Sequence, residues 1–285
     1  MDISCLSGAC LTVHLPVGLW ADGVCHRDAA LTPMTGIHEE RFGDTNRWPS
    51  PAAEVTELLA ASVSRIGSVM PIRDEHIRSL AILDRDVLLI ALRRHLFGDL
   101  IQGTITCPVP ECGKPIDMDF SLCQLPVPEM NEDSSHHDIA VGDCRRSYRL
   151  PNGGDQEAAA EFSSIDAVDA EEILLRRCIP KFTELCEADR NAVLTEMERH
   201  DPQLKTEFAA RCPECGKEFI VHFDIQEYLL HEMSDARAHL YRDVHTLAWY
   251  YHWSEWDILS MPTQKRRMYL SLLADLTNRT EGEDE

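Results

Sequence analysis

The sequence predicts an α+β fold, mostly helical, with two β-hairpins that meet at their tips. Three observations predict it. A cysteine turn is written twice, as Cys107-Pro-Val-Pro-Glu-Cys112-Gly-Lys114 and Cys212-Pro-Glu-Cys215-Gly-Lys217, and beyond the second cysteine of each the chain aligns without a gap. An alternating run leaves each turn, Ile116, Met118 and Phe120 after the first and Phe219, Val221 and Phe223 after the second. That is the period of a strand. Most of the remaining chain carries apolar residues at helical spacing.

The turn chemistry explains the cysteines. Pro108 and Pro213 hold the preceding cysteine in extended backbone. Gly113 and Gly216 permit the positive φ that lets backbone amides face the sulfurs. Cys107, Cys112, Cys212 and Cys215 are therefore expected to form one closed structural zinc site, which makes the hairpin pair a split zinc ribbon. A short-range ribbon keeps its pairs within about 15–20 residues; here a whole subdomain is inserted. Two unrelated reduced pairs are the alternative, and they would not account for the aligned strands. His222 alternates with Val221 and Phe223 and is expected to face solvent.

The other elements follow in order. Leu11, Val13 and Leu15 alternate as one strand, and Cys5, Cys10 and Cys25 read as buried or bystander thiols. Ala30 to Phe42 reads as a strand entering a helix capped by Thr35, with Glu39 and Glu40 in its first turns. A polar loop precedes a helix over Pro51–Ile66. Asp74 to Leu83 is a short helix, and Asp84 is expected to cap the next, Val87 to Phe97, which Gly98 stops. Arg93, Arg94 and His95 read as a solvated helix end. Leu125 to Asp143 reads as a surface loop in which His136 and His137 are incidental. Ser147 to Leu150 is a strand, Asp155 caps a helix through Glu161, and helices follow over Asp166–Cys178 and Ala188–Arg199. The C-terminal part opens at Ile225–Leu230 and continues as a long aromatic helix, Asp235–Trp253, with His239, His245 and His252 interspersed as core or interface groups. Ser254 caps a turn ending at Pro262, and Asp257 stands where a capping box carries Glu or Gln. Thr263 to Thr277 is the last helix, with Arg266 and Arg267 outward and Met268, Leu270, Leu272 and Leu273 inward.

The expected units are an N-terminal strand and loop region (1–50), a helical region (51–100), the first zinc hairpin (101–124), an inserted loop and helical subdomain (125–203), the second zinc hairpin (204–224), an aromatic helical pair (225–280) and an acidic tail (281–285). In 285 residues, 49 acids outnumber 27 Lys and Arg, giving a net charge of −22. That argues against nucleic acid and anionic membrane and favours a basic protein partner. No apolar run is long enough for a membrane span. Eleven scattered cysteines fit a reducing, cytoplasmic setting. There is no phosphate-binding glycine loop, no Gly-x-Ser-x-Gly elbow and no His-Glu-x-x-His helix. No catalytic residue is assigned.

Four stretches carry a resemblance. His245-Thr-Leu-Ala-Trp-Tyr-Tyr-His-Trp-Ser-Glu-Trp-Asp-Ile-Leu-Ser-Met-Pro262, followed by Arg266-Arg-Met-Tyr-Leu270, resembles the closing helices of the baseplate hub assembly chaperone family of T-even-type contractile phages, found also in phage-like contractile injection systems. Leu31 to Glu40 is similar to that family's early Leu-Thr-Gly-x-Glu-Glu element. Asp84 to Arg93 with Phe97-Gly98 resembles its Asp-Arg-x-x-Leu-Leu-x-x-Leu-Arg helix, and Arg149 to Asp155 its Arg-Leu-Pro-Thr-Gly-x-Asp turn. Split zinc pairs occur in its injection-system members. The resemblance implies a non-enzymatic role in baseplate assembly, as chaperone or minor component, with baseplate or hub proteins as partners. Trp249, Tyr250, Trp253 and Trp256 are the candidate contact residues, tryptophan and tyrosine being the commonest interface anchors. A zinc-dependent hydrolase using the cysteine site or the C-terminal histidines is the alternative.

Overall fold

A computed structural model describes residues 11–44, 47–128, 136–141, 144–163, 167–201, 204 and 206–282. Cys5 and Cys10 lie outside these residues. The fold is mixed helix and sheet.

The chain begins with a sheet in the order β1 (Leu11–Ala21), β2 (Val24–Leu31) and β3 (Val63–Ile66), all antiparallel. Helices α1 (Gly36–Phe42), α2 (Pro51–Ser62), α3 (Asp74–Ser79) and α4 (Ile82–Phe97) accompany it. Leu15, Leu58, Leu59, Ile66, Ile77 and Leu88 are fully enclosed in the resulting core. The first cysteine turn joins β4 (Leu100–Thr106) to β5 (Pro115–Ser121). An insert follows: β6 (His136–Val141), β7 (Cys144–Arg149), α5 (Gly153–Ser163), α6 (Ala167–Cys178) and α7 (Glu187–His200). It has its own small core of Tyr148, Leu175, Ile179, Phe182 and Val193. The second cysteine turn joins β8 (Glu207–Arg211) to β9 (Glu218–His222). The chain closes with α8 (Ile225–Tyr251), α9 (Glu255–Leu259) and α10 (Thr263–Gly282), packed around Leu240, Leu247, Ile258 and Leu273.

Several elements differ from the sequence expectation, each for a local reason. The N-terminal strand is one of two, because Asp22 and Gly23 turn the chain at positive φ into β2. The helix expected to reach Ile66 stops at Ser62, whose hydroxyl donates to the Leu58 carbonyl (2.7 Å). Val63 and Ile66 then serve the sheet, where β-branched side chains pack well. The opening segment Ile225–Leu230 and the helix expected from Asp235 form one element. No residue between them stops a helix, and Met233 is fully buried, so α8 runs unbroken for 27 residues. His137 is not incidental: β6 pairs with β7, and the His137 ring stacks between Tyr148 (5.2 Å) and His200 (4.9 Å). Asp257 does complete a capping box, accepting from the Ser254 amide (3.2 Å) and hydroxyl (2.5 Å).

Asp84 is the sharpest correction. It does not cap a helix from outside but lies within α4, on the stripe that continues through Leu88, Leu92 and Leu96, all buried. Its carboxylate accepts from the amides of Val17 (2.9 Å) and Gly18 (2.7 Å). Those amides sit where the β1–β2 register shifts between His14 and Leu19. A bulge leaves donors without a ladder partner, and a buried donor needs one. Gly18 has φ +94°, and a Cβ there would fall 2.7 Å from Cys25 Sγ and 2.9 Å from the His26 carbonyl. The bulge therefore needs glycine, and the amides it takes out of the ladder need Asp84.

Burial of Asp84 raises its pKa to about 6, the two amide hydrogen bonds opposing the shift. A carboxyl with a raised native pKa favours the native state most when both states are protonated, below its ordinary value near 4. That contribution is lost as pH rises through about 6. Asp84→Asn is expected to flatten the fall in stability between pH 4 and pH 6.5, measured by denaturant unfolding at each pH. An unchanged slope would show that Asp84 does not titrate on folding.

Candidate metal centre and its support

Both cysteine turns share one backbone design. The Cys107 amide donates to the Lys114 carbonyl (2.9 Å), and the Cys212 amide donates to the Lys217 carbonyl (2.9 Å). Gly113 and Gly216 take φ of +53° and +71°; a Cβ would meet nothing at Gly113 and only ordinary contact with Arg211 (3.7 Å) at Gly216. Conformation and not crowding requires glycine there.

The two tips meet. The sulfurs of Cys107, Cys112, Cys212 and Cys215 all lie within 4.8 Å of one another. Cys107 faces Cys215 and Cys112 faces Cys212, each at 3.8 Å. Zinc–thiolate bonds of about 2.3 Å in a tetrahedron require sulfur–sulfur edges of about 3.8 Å. Cys107 and Cys212 are buried, Cys112 is half-buried and Cys215 is exposed. The Cys215 amide hydrogen-bonds to Cys212 and, with that of Glu214, outweighs desolvation and draws the thiol down to about 7. At Cys107 the Val109 amide also favours the thiolate, but desolvation and the neighbouring sulfurs outweigh it and push the thiol up to about 12. As thiolates the four would repel one another strongly at this separation unless a cation lay between them. The donor set and its spacing are compatible with a closed tetrahedral metal site. Among the described residues no other cluster of three or more His, Cys, Asp or Glu could hold a metal. His222 points away, largely exposed, with Nδ1 3.5 Å from Glu207.

Behind the sulfurs the hairpins share aromatic packing. Phe120 of β5 contacts Phe208 (4.7 Å) and Phe223 (5.0 Å, edge to face), and Phe223 contacts Tyr228 (5.4 Å). Phe120 and Phe223 stand eight residues after Cys112 and Cys215, so the duplicated motif supplies both halves of this contact. At the base, Arg93 of α4 is 3% exposed rather than solvated. It forks onto both carboxylate oxygens of Glu232 in α8 (2.9 and 2.8 Å). Its remaining nitrogen donates to the carbonyls of Gly98 (2.8 Å) and Leu100 (2.7 Å), where β4 begins. Tyr228 Oη donates to the Gln102 carbonyl (3.0 Å). The helix that enters the first hairpin is thus tied to the helix that leaves the second.

Other buried charges were missed in the sequence. Arg266 is buried, not outward, and pairs with Glu39, while Thr263 Oγ1 also donates to Glu39 (2.5 Å). Asp155 is fully buried between Arg149 (2.5 Å) and Arg177 (2.6 Å), whose hydrogen bonds hold its carboxyl below the usual range although burial opposes them. Arg85 reaches Thr56 Oγ1 (2.9 Å) and the Ala52 carbonyl (3.0 Å). The signal was present: Arg85, Leu89 and Arg93 repeat every four residues on an inward face. Of the candidate contact residues, Trp249, Tyr250 and Trp256 are exposed by 71%, 53% and 69%. Trp253 is instead partly buried, stacked on Tyr251 (4.6 Å) and edge-on to Tyr269 (4.9 Å).

Arg93→Ala should destabilise the chain by about 2 kcal/mol, because the carbonyls of Gly98 and Leu100 and the partly exposed Glu232 would lose a buried donor; a chemical denaturation loss under about 0.5 kcal/mol would refute the clamp. For the sulfur cluster, joining turns about a hundred residues apart is worth about 4 kcal/mol by chain entropy alone. At about 2–4 °C per kcal/mol, Cys212→Ser should lower Tm by about 10 °C. A chelator should reproduce that shift in the wild type, and metal analysis should find one zinc per chain. Wild-type melting in both would exclude a structural metal.

The family model described as "T4 bacteriophage base plate protein" matches residues 54–230. The match runs from α2 through both cysteine turns into the start of α8. No curated protein and no solved structure matches the chain. With well over half its length covered, the chain belongs to the T4 baseplate protein family.

Proposed function

We propose that this chain is a non-enzymatic assembly factor of a contractile phage tail-like particle, a hub assembly chaperone or minor baseplate component, with Zn2+ held by Cys107, Cys112, Cys212 and Cys215. The family match carries the reading, because it spans both cysteine turns and everything between them. The zinc acts as a staple. It joins the two hairpins and so fixes the insert, residues 125–203, against the N-terminal helices. Four thiolate ligands leave no coordination position for a reactive water, which supports a structural role over hydrolysis. Metal binding of this kind contributes directly to folding free energy. Baseplate or hub proteins are the partners, and the net charge of −22 favours basic surfaces among them. Among the described residues no helix is long and apolar enough to cross a membrane.

The test is fractionation of a native lysate into sheath-bearing particles and soluble protein, with the chain quantified in each by mass spectrometry. A fixed ratio to baseplate subunits in particles identifies a structural component. A soluble complex with one baseplate protein identifies a chaperone. Absence of baseplate proteins alongside the chain in both fractions overturns the assembly role.

A further inference from the structure

We propose that one face of the C-terminal helices is a docking groove for an amphipathic helix of a partner protein, apolar along its centre and basic at its flanks. The inference rests on the assembly role and gives the partner's chemistry.

On α8, Tyr241, His245 and Trp249 recur every four residues, His252 follows as the left-handed C-cap, and all four are exposed. The helical stripe from Tyr241 to Trp249 is about 12 Å long at 1.5 Å per residue, about two helical turns. His245, Ala248, Trp249 and His252 line an open groove of about 520 Å³. The His245 and Trp249 rings are 6.4 Å apart. Trp249 is 71% exposed, whereas Trp253, four residues on, is packed against Tyr251 and Tyr269. The same short segment therefore contains a tryptophan that completes the core and one that the fold leaves uncovered. Exposed aromatic area of this kind marks interaction surfaces.

Charge selects the occupant. From His239 to Thr280 there are five basic residues (Arg242, Lys265, Arg266, Arg267 and Arg279) and four acidic ones (Asp243, Glu255, Asp257 and Asp275), a net of +1. The rest of the chain therefore carries −23 of the −22 total. The residues that line the groove include no Asp, Glu, Lys or Arg, so it is an aromatic surface without formal charge (histidines neutral) on a strongly acidic chain. At its Tyr241 end Glu40 accepts the tyrosine's hydroxyl hydrogen bond, and Arg237 and then Glu255, beside the exposed Trp256, act on the same tyrosine with opposite signs, so acids outnumber bases there two to one. A second copy would bring its own −22 against this field, while basic flanks would be attracted by it. A helix laid along α8 buries an apolar row in such a groove.

The probe is a synthetic peptide of about 18 residues, with leucines on one helical face and lysines flanking them. Controls replace the lysines with glutamates or scramble the leucines. With zinc-loaded full-length protein, calorimetry should show the lysine peptide binding at least about tenfold more tightly than either control. Trp249→Ser with Trp256→Ser should remove that advantage at unchanged Tm, and Trp249→Phe should keep most of it. Three results overturn the proposal: equal binding of the scrambled lysine peptide, unchanged binding by the double variant, or a wild-type dimer that Trp249→Ser converts to monomer in sedimentation. Any of them leaves the assembly role to be decided by particle fractionation.

Discussion

Four sulfur atoms from turns about a hundred residues apart meet within 4.8 Å, and the rest of the fold has to permit it. Two hairpins cannot hold their tips together unless their bases are also fixed. The bases are fixed by Arg93, which binds Glu232 with both prongs of its guanidinium and uses its remaining donor on the first carbonyls of the hairpin. Between base and tip, Phe120, Phe208 and Phe223 fill the gap. The result is a closed frame with sulfur at one end, a charge-assisted fork at the other and aromatic contact between. The segment between the two hairpins enters and leaves through this frame and is held directly as well, Glu157 of α5 meeting Thr56 and Arg78 (2.8 Å) of the N-terminal helices.

Buried charges perform the same service elsewhere. Asp84 fixes the β1 bulge on α4, Asp155 gathers β7 and α6 through Arg149 and Arg177, and Glu39 with Arg266 joins α1 to α10. Such pairs add little net stability over well-packed apolar residues, since desolvation offsets most of the attraction. Their geometric demands are strict, however, because an unpaired partner would be left inside the protein. We read them as devices that select one arrangement of segments far apart in sequence.

The C-terminal helices combine two kinds of aromatic surface. Tyr251, Trp253 and Tyr269 pack on one another as part of a small core, while Trp249, Tyr250 and Trp256 remain uncovered. The family match ends at residue 230, before this segment. The cysteine frame and the aromatic face therefore occupy different parts of the chain, linked by the continuous helix α8, which begins beside the second hairpin and ends near the exposed tryptophans.

The sequence by itself determined the parts whose causes are local. Proline after the first cysteine, glycine after the second and an alternating run specify each turn and hairpin, and repetition of the motif specifies that the two belong together. Capping residues and apolar spacing located most helices within a few positions. What the tertiary structure decided were the matters settled by distant partners. Val63 to Ile66 leave helix for sheet because β2 offers hydrogen bonds there. Polar residues at 231–234 remain helical because Met233 has a core to enter. Arg93 and Arg266 turn inward because Glu232 and Glu39 await them. Periodicity reports how residues are arranged along one element, but whether a charge is buried depends on whether an opposite charge arrives from another element, and that is known only once the chain has folded.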